Sequence, residues 1–128
     1  MDRLPAPDDA FGVIVAHGIW NLARSGAEFR RGVAEAARAG QPDAGLFVFT
    51  FSRHTLAPDA EPVAGEPFVF TEFSGEPQCF LTEAELLSEL ACAGFALLGP
   101  LTEHNRPRPG QLSPGGPVIY EGTFRLRG

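Results

Sequence analysis

The sequence of 128 residues lacks lysine altogether, and all ten of its cationic residues are arginine. A Schiff-base lysine and the lysine of a phosphate-binding P-loop are therefore excluded. No stretch approaches the roughly 18 consecutive apolar residues of a membrane-spanning helix, and the first residues lack the basic-then-apolar order of a secretion signal. We therefore expect a cytoplasmic protein that does not act at a membrane.

Cysteine and histidine are also scarce, and their spacing disfavours a metal site. Cys79 and Cys92 are too few for a zinc site, and we expect two reduced thiols. His17, His54 and His104 are too widely separated for a local metal-binding motif, so no metal ligand is predicted. A net charge of −6 disfavours nucleic-acid binding, because phosphate contacts need an excess of basic side chains.

Two apolar segments predict the central strands of an α/β fold. Residues 11–16 and 45–51 are nearly continuous apolar runs rich in β-branched and aromatic residues, which is typical of strands buried on both faces of a parallel sheet. Residues 1–10 are polar and broken by proline, so they predict a loop or disordered terminus before a domain at 11–128.

Two capping patterns predict the helices. Ser25 is followed by Glu28, and Thr82 is followed by Glu85, so that each pair can satisfy free backbone N–H groups at a helix start. The first helix should cover residues 26–39, with Gly40 as a left-handed residue at its end. Gly94 should end the second helix.

The C-terminal third predicts two further strands and completes the element order. Residues 95–101 and 118–126 favour strands, and the Pro/Gly/Arg-rich connection between them predicts an antiparallel hairpin rather than a crossover helix. Residues 52–80 form a long loop whose aromatics should pack onto the domain. The predicted order is β-α-β-loop-α-β-β. Right-handed crossovers place the helices mainly on one face, which leaves the other apolar face uncovered.

Three segments carry a resemblance to a known family. They are LPAPDDAFGVIVA at residues 4–16, the helix, PDAG turn and strand at 28–51, and FLTEAELLSELACAGF at 80–95. In this order they resemble the C-terminal half of class I S-adenosylmethionine-dependent methyltransferases, around the fourth to sixth strands, and tellurite-resistance methyltransferases are the subgroup they suggest. The resemblance implies a partial Rossmann-like sheet. Gly12 stands where the family usually has aspartate.

The resemblance also implies a cofactor that this sequence is poorly equipped to hold. The family's first strand, its G-x-G-x-G turn and the acidic residue after its second strand are absent, and no G-x-G-x-x-G occurs anywhere in the sequence. These elements normally let the backbone approach the cofactor and bind its ribose. The expectation is therefore a truncated methyltransferase-like protein that acts on a small molecule but is inactive alone.

Polar residues at the predicted carboxyl ends of strands are the candidate site residues. The resemblance places the segment from His17 to Asn21 beside the cofactor and substrate. His17 and His54 are candidate general bases. The candidate cofactor-binding residues are His17, Gly18 and Trp20, and the candidate substrate-binding residues are Asn21, Arg53, His104 and Arg106. The alternative to ligand binding is that Trp20 is a packed aromatic residue and that the other candidate residues lie in solvated loops.

Several other interpretations stay open at this stage. The uncovered face and the edge strand at residues 13–16 can serve a non-catalytic interaction module, which pairs with a second copy or with a complementing N-terminal half. A gene fragment without a selected function is a third interpretation. A Ser-His-Asp catalytic triad can be assembled on paper from Ser52, His54 and Asp59, but no G-x-S-x-G motif supports it. The dipole of the second helix can lower the pKa of Cys79, or Cys79 is simply buried.

Overall fold

The computed structural model describes residues 6–106 and 117–127 of the chain. The regular elements are β1 (Phe11–His17), α1 (Gly26–Ala39), β2 (Gly40–Phe51), β3 (Val69–Phe70), β4 (Gln78–Cys79), α2 (Glu83–Cys92), β5 (Phe95–His104) and β6 (Ile119–Leu126). Short 3-10 turns follow β1 at Trp20–Leu22 and β2 at Arg53–Thr55. The first half of the predicted N-terminal loop and most of the connection between β5 and β6 lie outside the described residues. Neither helix is long and apolar enough to cross a membrane.

Four strands form a mixed sheet in the order β1-β2-β6-β5. β1 and β2 are parallel, and α1 is the crossover between them. β6 lies between β2 and β5 and runs antiparallel to both. This confirms the predicted α/β class, the C-terminal antiparallel pair and the central position of β2.

The helix starts match their sequence signals. The hydroxyl of Ser25 accepts a hydrogen bond from the backbone N–H of Glu28 at 3.0 Å. Thr82 and Glu85 form a reciprocal capping box at the start of α2. Because each cap satisfies backbone donors that would otherwise be free, these local pairs fix where both helices begin.

The predicted left-handed conformation of Gly40 is wrong. Gly40 is extended (φ −80°, ψ 139°), because α1 runs directly into β2 without a reversing turn. A Cβ at this position would lie 3.1 Å from Leu126 and 3.2 Å from the Cβ of Ala44, so glycine allows close packing here. Asp43 takes the left-handed conformation instead, within the PDAG turn (φ 66°).

Both helices pack against one face of the sheet. The β2 side chains Leu46, Val48 and Thr50 point to this face and are almost fully buried. Arg30 of α1 and Glu89 of α2 form an ion pair at 2.9 Å, so the helices are neighbours. The buried residues that surround β2 from the helices and β6 are Phe29, Val33, Leu86, Leu90, Tyr120 and Phe124. The predicted placement of the helices is therefore confirmed.

The opposite face is open along β1. Val13 and Val15 are 71% and 57% exposed, so the prediction that β1 is buried on both faces is wrong. The reason is its position, because β1 is the edge of the sheet and no layer of the described chain lies over these side chains. On β2, Phe47 and Phe49 are half-buried against each other, with ring centroids 5.5 Å apart.

The long loop packs onto the end of β2, as predicted. Phe68 and Phe70 are buried, and Phe80 stacks on Phe51 with ring centroids 5.5 Å apart. β3 and β4 form a short antiparallel hairpin inside this loop. Aromatic packing therefore orders a segment that carries little regular secondary structure of its own.

One pair of identical substitutions tests the one-sided core. Val48→Ala removes two methyl groups from a fully buried site and should lower the free energy of unfolding by about 2 kcal/mol. Val15→Ala, on the open face, should cost less than about 1 kcal/mol. Denaturant unfolding of both variants measures the difference. Equal losses would contradict the one-sided core.

Candidate functional site

The carboxyl ends of the parallel strands β1 and β2 meet at one edge of the sheet. His17 at the end of β1 pairs in register with Phe49 of β2. Gly18 then adopts a left-handed conformation (φ 66°) and directs the chain into the turn Trp20–Leu22. A cavity of about 120 Å³ opens at this edge, and its lining residues are His17, Gly18, Asn21, Phe49, Thr50, Phe51 and Ile119.

Two polar side chains next to this cavity are buried without hydrogen-bond partners. Asn21 is 2% exposed and Thr50 is 1% exposed. Within the described residues, Asn21 Oδ1 and Thr50 Oγ1 are the fully buried side-chain atoms that lack a partner. Each unsatisfied buried polar group costs about 1–3 kcal/mol. Both atoms are shielded from the cavity, so they lower the stability of the fold and do not face a ligand bound there.

A carboxylate, a serine and a histidine form a second cluster beside the cavity. Glu103 Oε2 accepts hydrogen bonds from Ser52 Oγ at 2.5 Å and from His54 Nδ1 at 2.6 Å. Burial by itself would raise the pKa of Glu103, but the hydrogen bonds from Ser52 and His54 outweigh it, so this pKa is lowered. Because Nδ1 of His54 faces Glu103, its Nε2 atom is directed away from the carboxylate. This geometry suits a proton acceptor.

The other two histidines flank Phe49 on the open face. The His17 ring is 4.7 Å from the Phe49 ring, and the His104 ring stacks on Phe49 at 6.3 Å with an interplanar angle of 8°. His104 Nε2 is 2.6 Å from Glu121 Oε1. The fold thus brings together two of the predicted site residues that are 87 positions apart in the sequence.

Three other predicted site residues have structural contacts of their own. The Arg53 guanidinium donates to the carbonyl oxygens of Ala57 and Ala60 and lies 4.7 Å over the Phe70 ring, so it orders the loop after β2. Trp20 is buried and its ring contacts that of Phe29 edge-on. Arg106 lies beside the Glu103 cluster, with its Nε atom 3.9 Å from Glu103 Oε1. Ligand binding by these three residues stays a prediction.

Two polar residues of the site had weak sequence signals. Thr50 is the one polar residue in the apolar run LFVFTF, and this break in the pattern is the signal that could have identified it. Glu103 belongs to an evident polar segment, but its bonds to Ser52 and His54 depend on long-range packing. The acid that approaches His54 is therefore Glu103, and not Asp59 as in the triad that can be written from the sequence.

Cys79 is a packed core residue. It is fully buried, and its Sγ atom donates to the carbonyl oxygen of Ala23 at 3.4 Å. Burial raises the pKa of this thiol to about 12, so the alternative of a thiol activated by the helix dipole is wrong. The helix itself begins four residues later, at Glu83.

A serine substitution tests the Glu103 cluster. Ser52→Ala should lower the free energy of unfolding by about 1.5–3 kcal/mol at neutral pH, because it removes a hydrogen bond to a carboxylate. The pKa of Glu103 is lowered in the folded state, so its contribution is present above the ordinary value of 4.5 and is lost as the pH falls through the lower folded-state pKa. The loss should therefore shrink in acid.

Denaturant unfolding of the wild type and the variant between about pH 7 and pH 3 measures this change. Ser88→Ala is the matched control, because Ser88 is exposed in the middle of α2. A loss for Ser52→Ala that stays constant over this range would contradict the assigned charge on Glu103.

The sequence matches no protein-family model, and no curated protein is significantly similar to it. Solved structures are similar. An S-adenosylmethionine-dependent methyltransferase from Methanosarcina mazei has a TM-score of 0.73 at 18% identity, over 98% of this chain and 64% of that one. The Burkholderia thailandensis 1,6-didemethyltoxoflavin-N1-methyltransferase, solved with 1,6-didemethyltoxoflavin and S-adenosylhomocysteine, has a TM-score of 0.68 at 16% identity, over 99% and 48%.

The [4+2]-cyclase SpnF is similar to the same extent, with a TM-score of 0.66 at 19% identity over 98% of this chain and 54% of that one. The chain therefore spans about half to two thirds of the length of these neighbours. Because a cyclase shares the architecture, the fold alone does not define the reaction. The likeness confirms the fold that the sequence resemblance implied, and the chain has a class I methyltransferase-like fold.

Proposed function

We propose that this chain is the substrate-binding half of a cytoplasmic S-adenosylmethionine-dependent methyltransferase that acts on a small molecule. The observation that carries the proposal is the cavity at the carboxyl edge of a methyltransferase-like sheet, which His17, Gly18 and Asn21 line together with the end of β2. Ligands of open α/β sheets bind at this edge. The free thiols of Cys79 and Cys92 agree with a reducing compartment.

The residues present do not fit the whole cofactor. The sequence contains no G-x-G turn, and the described residues that line the cavity include no carboxylate for ribose hydroxyl groups. We therefore propose that the chain alone is inactive and that a glycine-rich half comes from residues outside this sequence or from another chain. The residues of this chain then contribute the binding of the methyl acceptor, its orientation and a proton acceptor.

Those residues bind and orient the methyl acceptor. Phe49, Phe51 and Ile119 give the cavity a mostly apolar lining against which the acceptor can pack. Holding an acceptor in one orientation is itself a large part of catalysis in group transfer. His17 lines the cavity and is the first choice as proton acceptor, and His54 is the second because Glu103 orients its ring.

The structural neighbours support the small-molecule acceptor. The Burkholderia thailandensis enzyme holds 1,6-didemethyltoxoflavin together with S-adenosylhomocysteine. A Thermotoga maritima neighbour is described as a possible histamine N-methyltransferase. The cavity of this chain is small and mostly apolar, which suits an acceptor of this general kind.

A non-catalytic interaction module is the second candidate, and the exposed Val13 and Val15 on edge strand β1 favour it. Such a surface can pair with a second copy or with a complementing half. Light scattering separates the two candidates. A concentration-dependent dimer whose cavity binds no ligand supports the interaction module, and a monomer that binds a small ligand supports the methyltransferase half.

The cofactor prediction is tested by calorimetry. Isothermal titration of the isolated chain with S-adenosylmethionine should give no sub-millimolar binding, because the glycine-rich turn is absent. If the glycine-rich half precedes this segment, the DNA immediately upstream encodes an in-frame G-x-G-x-G, and the joined product should bind the cofactor. Sub-millimolar binding by the isolated chain would show that the proposed division of the enzyme is wrong.

A further inference from the structure

The two edges of the four-stranded sheet differ in how they are protected. β5 forms one edge, and its pairing with β6 is interrupted by an irregularity that contains Gly99 and Pro100. Gly99 is left-handed (φ 70°), and Pro100 has no N–H to offer a further strand. β1 forms the other edge, and it contains neither proline nor a charged side chain from Phe11 to Ala16. Because sheets are usually guarded against further pairing by such features, β1 is open to one more strand.

Apolar surface lies beside the free edge of β1 on both faces of the sheet. On the open face, Val13 and Val15 are 71% and 57% exposed. On the helix side, a small groove of about 70 Å³ runs between β1 and α1, and its lining residues are Ile14, Val15, Ala16, Ile19, Trp20, Gly32, Glu35 and Ala36. A strand that joins β1 therefore needs apolar side chains on both of its own faces. β1 is itself a strand of this kind.

The sequence of β1, FGVIVAH, is self-complementary about Ile14. The two neighbours of Ile14 are both valine, the next pair, Gly12 and Ala16, are both small, and the outermost pair, Phe11 and His17, are both aromatic rings. When a two-fold axis passes through Ile14, two copies of the strand run antiparallel and every residue lies opposite one of matching size. No like charges face each other in this register.

The register also keeps the faces of the two sheets together. Residues 13 and 15 share the open face, since alternate side chains of a strand point to the same side. Val13 of each copy then lies opposite Val15 of the other, at the distance at which cross-strand side chains stabilise a sheet. The pairing covers two of the most exposed apolar side chains of the described residues.

The same register brings the second copy to the cavity at the carboxyl edge. His17 lines that cavity and lies opposite Phe11 of the second copy. On its other side, the His17 ring already contacts the Phe49 ring, with centroids 4.7 Å apart. Phe11 is 44% exposed in the single chain, so its ring is free to pack there. Phe11 of the second copy would thus extend the mostly apolar lining of the cavity beyond His17.

We infer that two copies of the isolated chain pair antiparallel through β1, with Ile14 at the two-fold axis, and that each copy supplies Phe11 to the cavity of the other. The pairing joins two four-stranded sheets into one and places the helices of both copies on the same face. It also satisfies the backbone N–H and C=O groups along the free edge of β1. This inference goes beyond the proposed function, which does not require a second copy.

Sedimentation of the full chain over a range of concentrations tests the pairing. The chain should show a monomer–dimer equilibrium, and Val15→Lys should weaken the dimer at least about tenfold, because the pairing would bury the new charge against an apolar side chain. Thr123→Lys is the matched control, since Thr123 is exposed on β6, away from the edge. Both sites are exposed, so both variants should fold. A chain that stays monomeric, or equal weakening by the two variants, would overturn the inference.

NMR spectroscopy of an equal mixture of isotope-labelled and unlabelled chains tests the register. Isotope-filtered spectra should show contacts between the methyl groups of Val13 in one copy and Val15 in the other, and between the rings of Phe11 and His17. Phe11→Ala should abolish the ring contact and retain the valine contacts. A dimer that lacks the contacts between copies pairs in another way, and that result refutes both the register and the contribution of Phe11 to the cavity.

The two proposals can fail separately. If the chain is monomeric but the product joined to a glycine-rich half methylates small molecules, the pairing fails and the proposed function stands. If the chain dimerises with the expected contacts but the joined product neither binds S-adenosylmethionine nor transfers a methyl group, the proposed function fails and the pairing stands. A dimer whose cavity binds a small ligand agrees with both proposals.

Discussion

Burial of the β2 side chains against two helices holds this domain together. Leu46 and Val48 point towards α1 and α2 and are completely buried, and the removal of such apolar area from water is the main favourable term in folding. The alternate side chains of the same strand point to the other face, where Phe47 and Phe49 cover each other only in part. Strand alternation therefore turns one layer of helices into a one-sided core.

The same arrangement positions the candidate site. Because β1 and β2 are parallel, the turns that follow them lie at the same edge, and the end of β2 lines one cavity there with His17, Gly18 and Asn21. Thr50 continues the helix-facing row of Leu46 and Val48, so its hydroxyl is buried by the strand geometry. A polar atom that is buried in this way without a partner lowers stability by about 1–3 kcal/mol.

Local signals in the sequence predicted the helices well. The caps at Ser25 and Thr82 act within one turn, so the start of each helix was predictable from four residues. Gly40 was misjudged because its role is close packing against Leu126, which is 86 positions away and leaves no local pattern. The apolar run of β1 predicted burial on both faces, whereas burial depends on a neighbouring layer that sequence periodicity cannot supply.

The candidate site was predictable only in part. His17, Gly18 and Asn21 were identified because they directly follow an apolar strand, and all three line the cavity. The bonds of Glu103 to Ser52 and His54 span about 50 residues and depend on how β5 pairs with β6, including the irregularity between Leu98 and Thr102. Such a register is set by side-chain packing across the whole sheet, which a single sequence does not specify.

The direct test of the one-sided sheet is the solvent accessibility of its valine methyl groups, measured by NMR relaxation with a soluble paramagnetic agent. The account predicts strong enhancement for the methyl groups of Val13 and Val15 and little for those of Val33, Val48 and Val69, which are buried. Equal protection of all five valines in the isolated chain at low concentration would contradict the open face, and with it the interpretation of this chain as half of a larger enzyme.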